Sequence, residues 1–190
     1  KTIDYEYNHI NGLVERVVFQ KHKPSEYYVH VYKYNRIGQL TSVSSGTDSK
    51  IVTPQAGYTY YESGALKRRI LYRPNQGTDY VYNLAGQLKA INHPSLTASK
   101  DPGGDANDVF GMQIDYHDDD YERSSGTNVV SSQQGQDRFD GNIKGIRWAT
   151  KTVDANPNSS HSAFLYQYNK NNWLAAADFG SAVNSGNNHS

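Results

Sequence analysis

The sequence predicts an all-β protein assembled from repeated antiparallel hairpins. Three observations predict it. First, one phrase recurs: two tyrosines flanking a single residue, a short polar turn, and an aliphatic return. Its clearest copy is Tyr32-Lys-Tyr-Asn-Arg-Ile-Gly-Gln-Leu-Thr-Ser-Val43. Tyr32 and Tyr34 alternate with Lys33, the period of a half-buried strand. Asn35 to Gly38 is turn chemistry, and Gly38 can take the positive φ that a short hairpin loop needs. Second, the copies are evenly phased. The second tyrosines fall at Tyr7, Tyr34, Tyr60 and Tyr82, so the period lies in the twenties, as in stacked-repeat architectures. Third, 16 Tyr against 5 Phe shift burial onto rings with a polar tip, which suits walls one sheet thick and wet on at least one face.

The elements follow in order. Residues 5–18 hold the first hairpin, turning at Asn11-Gly12, the strongest short-range hairpin signal in the chain. The second spans 30–44 and turns at Gly38, with Leu40 opening its return. The third spans 57–71, with Tyr60, Gly64 and Leu66 in the same places. The fourth spans 79–92, with Tyr82, Gly86 and Leu88. From the second Tyr, Gly follows by four residues and Leu by six in these three copies. Residues 93–136 break the period and read as a loop-rich insertion with one anchoring strand inside Val109–Tyr116 and a mobile flank at 122–136. Two weaker copies follow. One spans 137–148, with Phe139 in the Tyr place. The other spans 164–178, with Tyr168, Asn172 in the Gly place, and Leu174; Asn tolerates left-handed backbone better than most residues. Residues 149–162 read as a polar loop and 181–190 as a flexible tail.

The return strands carry a puzzle. Leu40 and Val43, or Leu88 and Ile91, are three apart, which puts them on opposite faces of a flat strand. Either a bulge restores one face, or both faces of the wall are covered.

The totals exclude several functions. Lys plus Arg and Asp plus Glu are each 19, so the formal net charge is zero and nothing draws the chain to nucleic acid or an anionic membrane. No apolar run is long enough to span a bilayer as a helix. There is no Cys, hence no disulfide and no thiolate metal site. Hydrophobic residues are 36% of the chain, against roughly 45–50% in average globular domains when Gly is included, so a large apolar core is not expected. The chain opens at Lys1 and reads as an excerpt of a longer polypeptide.

Catalytic signals are absent. The seven His are scattered without the i, i+4 spacing of a zinc protease, and neither a Gly-x-Ser-x-Gly elbow nor a phosphate loop occurs. No catalytic, cofactor-binding or metal residue is therefore assigned. Two acidic stretches have the oxygen-rich composition of Ca²⁺ loops. These are Asp115 to Tyr121, with His117 and Asp118 to Asp120, and Asp101 to Asp108, with Asp105, Gly103 and Gly104. Neither has the spacing of an established Ca²⁺ loop, and the ordinary reading of both is an acidic turn. Trp148, Trp173 and the tyrosines, next to Asn, Asp and Gln, have the makings of a sugar-binding face; cross-strand packing explains the same rings.

The phrase Tyr-x-Tyr-Asn-x-x-Gly-x-Leu resembles the YD repeat of the Rhs and teneurin family. Asn stands where that family usually has Asp, at Asn8, Asn35, Asn83 and Asn169, and Tyr61 stands there in the third copy. The resemblance covers about residues 1–93 and 137–180 and rests on six phrased copies. It implies a curved sheet spiralling into a hollow shell, of which this chain would be one arc. Such shells enclose a C-terminal toxin in Rhs and toxin-complex proteins and form an extracellular adhesion barrel in teneurins. The family's self-cleaving core segment has no counterpart here. The expectation is a non-catalytic structural segment of a secreted or cell-surface protein, without cofactor. Its partners would be other repeats of the same longer chain, and an enclosed polypeptide or a surface glycan or protein. The alternative is a glycan- or protein-binding adhesion module.

Overall fold

The computed structural model describes residues 1–48, 50, 52–72, 75–105, 108–117, 137–151 and 162–181. Among them there are twelve strands and a single helical turn, at Pro24–Glu26. The chain divides into two compact units, Lys1–Gly77 and Thr78–Ser190. Each is an antiparallel meander whose neighbouring strands follow chain order, and neither closes into a barrel. No helix among the described residues is long and apolar enough to cross a membrane.

The first unit holds β1 (Ile3–Tyr7), β2 (Val14–Phe19), β3 (Tyr28–Tyr34), β4 (Leu40–Gly46), β5 (Thr53–Tyr60) and β6 (Leu66–Tyr72). Strand β7 (Asn75–Tyr82) begins at its end and leads into the second unit. That unit continues with β8 (Leu88–Ile91), β9 (Phe110–Asp115), β10 (Gly145–Thr150), β11 (Ser162–Tyr168) and β12 (Leu174–Ser181). Five expected hairpins are present as β1–β2, β3–β4, β5–β6, β7–β8 and β11–β12. The cores are thin: Val18, Val29 and Ala56 in the first unit, and Val81, Ile114, Tyr116, Ala149 and Ala163 in the second.

A bulge resolves the spacing of three. Lys33 pairs with Ser42 and Tyr34 with Leu40, so Thr41 has no partner in the ladder. The extra residue flips the parity of the strand. Leu40 and Val43 then lie opposite Tyr34 and Tyr32, two positions apart, on one face. The same register shift leaves out Glu15, Lys67, Lys89 and Ala175 in the other four hairpins. A further shift between β4 and β5 leaves out Gln55, next to Pro54. Proline supplies no N–H to a ladder, and a bulge is where an inner strand tolerates one.

The fifth hairpin differs from expectation. It is not 137–148 with Phe139 as its strand tyrosine. Phe139 sits in a bend, is 81% exposed, and stacks on His117 with ring centres 4.7 Å apart. The hairpin is β9–β10, paired from Asp115↔Gly145 to Phe110↔Thr150. The strand expected to anchor an insertion is therefore its first arm. Arg138 N–H donates to the Tyr116 carbonyl at 2.7 Å and Lys144 N–H to that of Asp115 at 2.7 Å, so 137–144 folds back as the end of this hairpin. The Ser/Gly/Gln-rich flank at 122–136, the core of the 149–162 loop and residues 182–190 lie outside the described residues.

Candidate functional site

The turns show what the repeated Asn and Gly do. Asn35 Oδ1 accepts the N–H groups of Ile37 (3.1 Å) and Gln39 (2.9 Å). Asn8, Asn83 and Asn169 cap their turns in the same way. A short side chain with an acceptor oxygen closes its own turn. Gly12, Gly38, Gly64 and Gly86 have φ of 71°, 84°, 89° and 80°, and Asn172 has 61°. Gln39 links successive turns: its Nε2 donates to the Gly64 carbonyl at 3.0 Å while its Oε1 receives Asn35 Nδ2 at 2.7 Å.

The second tyrosine of the phrase reaches across hairpins. Tyr34 Oη donates to the Val14 carbonyl (2.9 Å) and Tyr60 Oη to the Leu40 carbonyl (2.7 Å). In the second unit Tyr116 Oη reaches the Leu88 carbonyl (3.1 Å) and Tyr168 Oη the Ile143 carbonyl (2.9 Å). The acceptor residue begins, or in the case of Ile143 precedes, the preceding hairpin's return strand. Each hydroxyl thus latches its hairpin to the one before. Tyr116 was missed in the sequence because Ile114 replaces the first tyrosine of the phrase. Leu40, Leu66, Leu88 and Leu174 stand opposite Tyr34, Tyr60, Tyr82 and Tyr168 in the ladders. Burial holds the phenols of Tyr60, Tyr82 and Tyr168 above their ordinary range, and the neighbouring Tyr58, Tyr80 and Tyr166 add to it. Tyr7 has the same place in the first hairpin, is 53% exposed, and its hydroxyl has no hydrogen-bond partner among the described residues.

Two lysines directly follow latch acceptors and are buried. Lys89 is 3% exposed, lies 3.4 Å from Asp115 and sits over the Tyr116 ring. Lys144 is 2% exposed and lies 2.6 Å from Asp137. The 115–121 acidic stretch is accordingly not assembled as an ion site from its described members. Asp115 is engaged by Lys89 and His117 packs on Phe139, while Asp118 to Asp120 lie outside the described residues.

The other acidic stretch is drawn together with a residue that the sequence did not connect to it. Asp79 of β7, Asp101 and Asp105 present carboxylate oxygens all within 4.8 Å of one another. Asp79 is 3% exposed, Asp101 8% and Asp108 1%. Asn92, buried with φ of 50°, makes this placement. Its Oδ1 receives the Asp79 N–H at 2.7 Å, its own N–H donates to the Asp79 carbonyl at 2.8 Å, and its Nδ2 donates to the Phe110 carbonyl at 2.9 Å. The described part of the 93–109 connection is thereby closed onto β7. Gly111 permits the packing, since a Cβ there would lie 2.2 Å from the His93 carbonyl oxygen. Asp101 Oδ2 accepts the N–H groups of Gly103 (2.8 Å) and Asp105 (3.2 Å). Asp101 Oδ1 and both oxygens of Asp108 are buried without a hydrogen-bond donor. The Asp108 carboxyl adjoins that of Asp101, and a proton on one can be shared with the other. Burial first, then the charges of Asp101, Asp105 and Asp79, push the Asp108 carboxyl up to about 8.

Comparison with protein-family models finds none that matches the chain, and comparison with curated proteins likewise finds no match.

Proposed function

We propose that this chain is a non-catalytic wall segment of a YD-repeat-like shell or scaffold belonging to a secreted or cell-surface protein. The observation that carries the reading is the tyrosine latch. A contact repeated from hairpin to hairpin builds continuous surface, in which each unit needs only its neighbour. A catalyst instead needs several different groups converging on one reacting centre. The β1 edge supports continuation by pairing. It exposes Ile3, Tyr5 and Tyr7, and Tyr7 holds the latch position of the phrase. Open strand edges are sites for further strands.

Adhesion is the second reading, favoured by one aromatic cluster. Trp148 stacks on Phe164 at 5.7 Å, and Phe164 contacts Phe179 at 5.1 Å and Tyr166 at 6.2 Å. Phe179 is 60% exposed. Such rings suit the apolar face of a sugar or a protein anchor.

The coding sequence on either side of this segment tests the choice. Further copies of the phrase are the expected result. A flanking sequence without repeats, joined to glycan-array binding that is lost in Trp148→Ala and Phe179→Ala, would replace the shell by adhesion. Turnover of ester, peptide or glycoside substrates by the purified chain would overturn both.

A further inference from the structure

We propose that Asp79, Asp101 and Asp105, with Asp108 buried beside Asp101, form a site for one Ca²⁺ ion, which fastens the loop carrying Asp101 and Asp105 to strand β7. The inference does not depend on the shell reading. Three lines of geometry carry it.

The first is spacing. Oxygens bound to one Ca²⁺ lie about 2.3–2.6 Å from it, so two of them stand at most about 5 Å apart. The oxygens of Asp79, Asp101 and Asp105 meet that limit, all lying within 4.8 Å of one another. They come from both sides of the junction, one from a strand and two from the loop laid over it.

The second is unmet need. Asp108 is 1% exposed and neither of its oxygens has a donor; Asp101 is 8% exposed and its Oδ1 has none. Neither residue has an ion-pair partner among the described residues. A buried carboxyl is either held protonated or paired with a cation. Elsewhere in the same unit the buried charges are matched: Lys89 by Asp115 and Lys144 by Asp137. Asp101 Oδ1, buried in the aspartate cluster, has no such match. Asp101 is oriented for one, since the N–H groups of Gly103 and Asp105 hold Oδ2 and leave Oδ1 for the cluster.

The third is ligand type. All three donors are carboxylates, with no imidazole or thiolate, which selects a hard cation over zinc or copper. An irregular loop with Gly103 and Gly104 supplies two of them, and Ca²⁺ accepts variable coordination, whereas Mg²⁺ demands a near-ideal octahedron and keeps its water.

Equilibrium dialysis of the full chain against about 2 mM CaCl2, after treatment with EDTA, gives the direct measure. One ion bound per chain is expected, with a melting temperature raised by about 5 °C or more over the EDTA form. MgCl2 at the same concentration should produce less than half that shift. The double variant Asp101→Asn/Asp108→Asn should bind no calcium. In EDTA it should melt at or above the unsubstituted chain, because it has lost buried negative charge. That last comparison keeps the test decisive if calcium response disappears: a variant that binds nothing because it is unfolded gives no cooperative transition. In that case the single variant Asp105→Asn, with an expected affinity loss of tenfold or more, takes its place. No bound ion in the folded chain, equal response to magnesium, or calcium binding that survives the substitutions would each overturn the proposal.

Discussion

The hydroxyl of Tyr60 donates to the main-chain carbonyl of Leu40, 20 residues earlier, at 2.7 Å. Tyr34 makes the same bond to Val14 over the same separation. A phenol at a fixed place in one hairpin thus reaches the first residue of the preceding hairpin's return strand. Tyr60→Phe and Tyr34→Phe keep the ring and remove only the bond. Each should lower stability by about 1 kcal/mol, the net value of a hydrogen bond with its carbonyl left partly buried. Urea unfolding measures this. Losses under about 0.3 kcal/mol in both variants would show that the latch is incidental to a packed ring.

Alkaline titration reads the same latches. Burial first, and then the neighbouring Tyr58 and Tyr166, hold the Tyr60 and Tyr168 phenols above the ordinary value. The folded chain therefore keeps these protons after the unfolded chain has released them. Where the native state binds more protons, stability falls as pH rises. The decline should begin near pH ~10, the unfolded tyrosine value, and continue through the raised folded value. Below that window these phenols contribute no pH dependence. Urea midpoints measured from neutral pH upwards should show a break there, and Tyr60→Phe/Tyr168→Phe should make the slope shallower. An unchanged slope would assign alkaline unfolding to other groups.

Gly38 has φ of 84°, and a Cβ there would meet only Leu13 Cδ1, at 3.7 Å. Space is adequate, so the cost of Gly38→Ala is conformational. It should be about 1–2 kcal/mol, the penalty for an L-residue in the left-handed region. Gly57, in a strand with ordinary φ, is the contrasting site, where a Cβ meets the Tyr72 hydroxyl at 3.1 Å. There Gly57→Ala should be relieved by Tyr72→Phe, and Gly38→Ala should not. Equal behaviour of the two pairs would count against a backbone origin.

Lys89 is buried against Asp115 and the Tyr116 ring. Removing one partner of such a pair costs more than replacing both. Asp115→Asn should destabilise by about 3 kcal/mol, and Lys89→Met/Asp115→Asn should recover at least about half of that. If the double variant is no better than the single one, the buried ammonium is satisfied elsewhere.

Local chemistry is what the sequence by itself determined. Alternating Tyr, the Asn that caps its own turn, and the Gly or Asn172 at positive φ are short-range requirements, satisfied within a few residues, and they placed five hairpins. The fifth in chain order escapes this reading because 29 residues lie between Asp115 and Gly145, and Phe139 mimics the local phrase without entering a ladder. Pairing over that distance is decided by which strands share a face and which hydroxyl finds a carbonyl, as Tyr116 does at Leu88. The choice between a bulge and a two-sided wall was likewise tertiary, since only a partner strand reveals that Thr41 or Lys89 has been skipped. The aspartate cluster belongs with these. Asp101, Asp105 and Asp108 are near neighbours in the chain, yet Asp79 joins them only because Asn92 ties its backbone to the loop and Gly111 lets His93 approach. Local residues select a turn with a handful of dihedral angles; bringing four carboxyl groups together out of water requires the whole fold to hold them there.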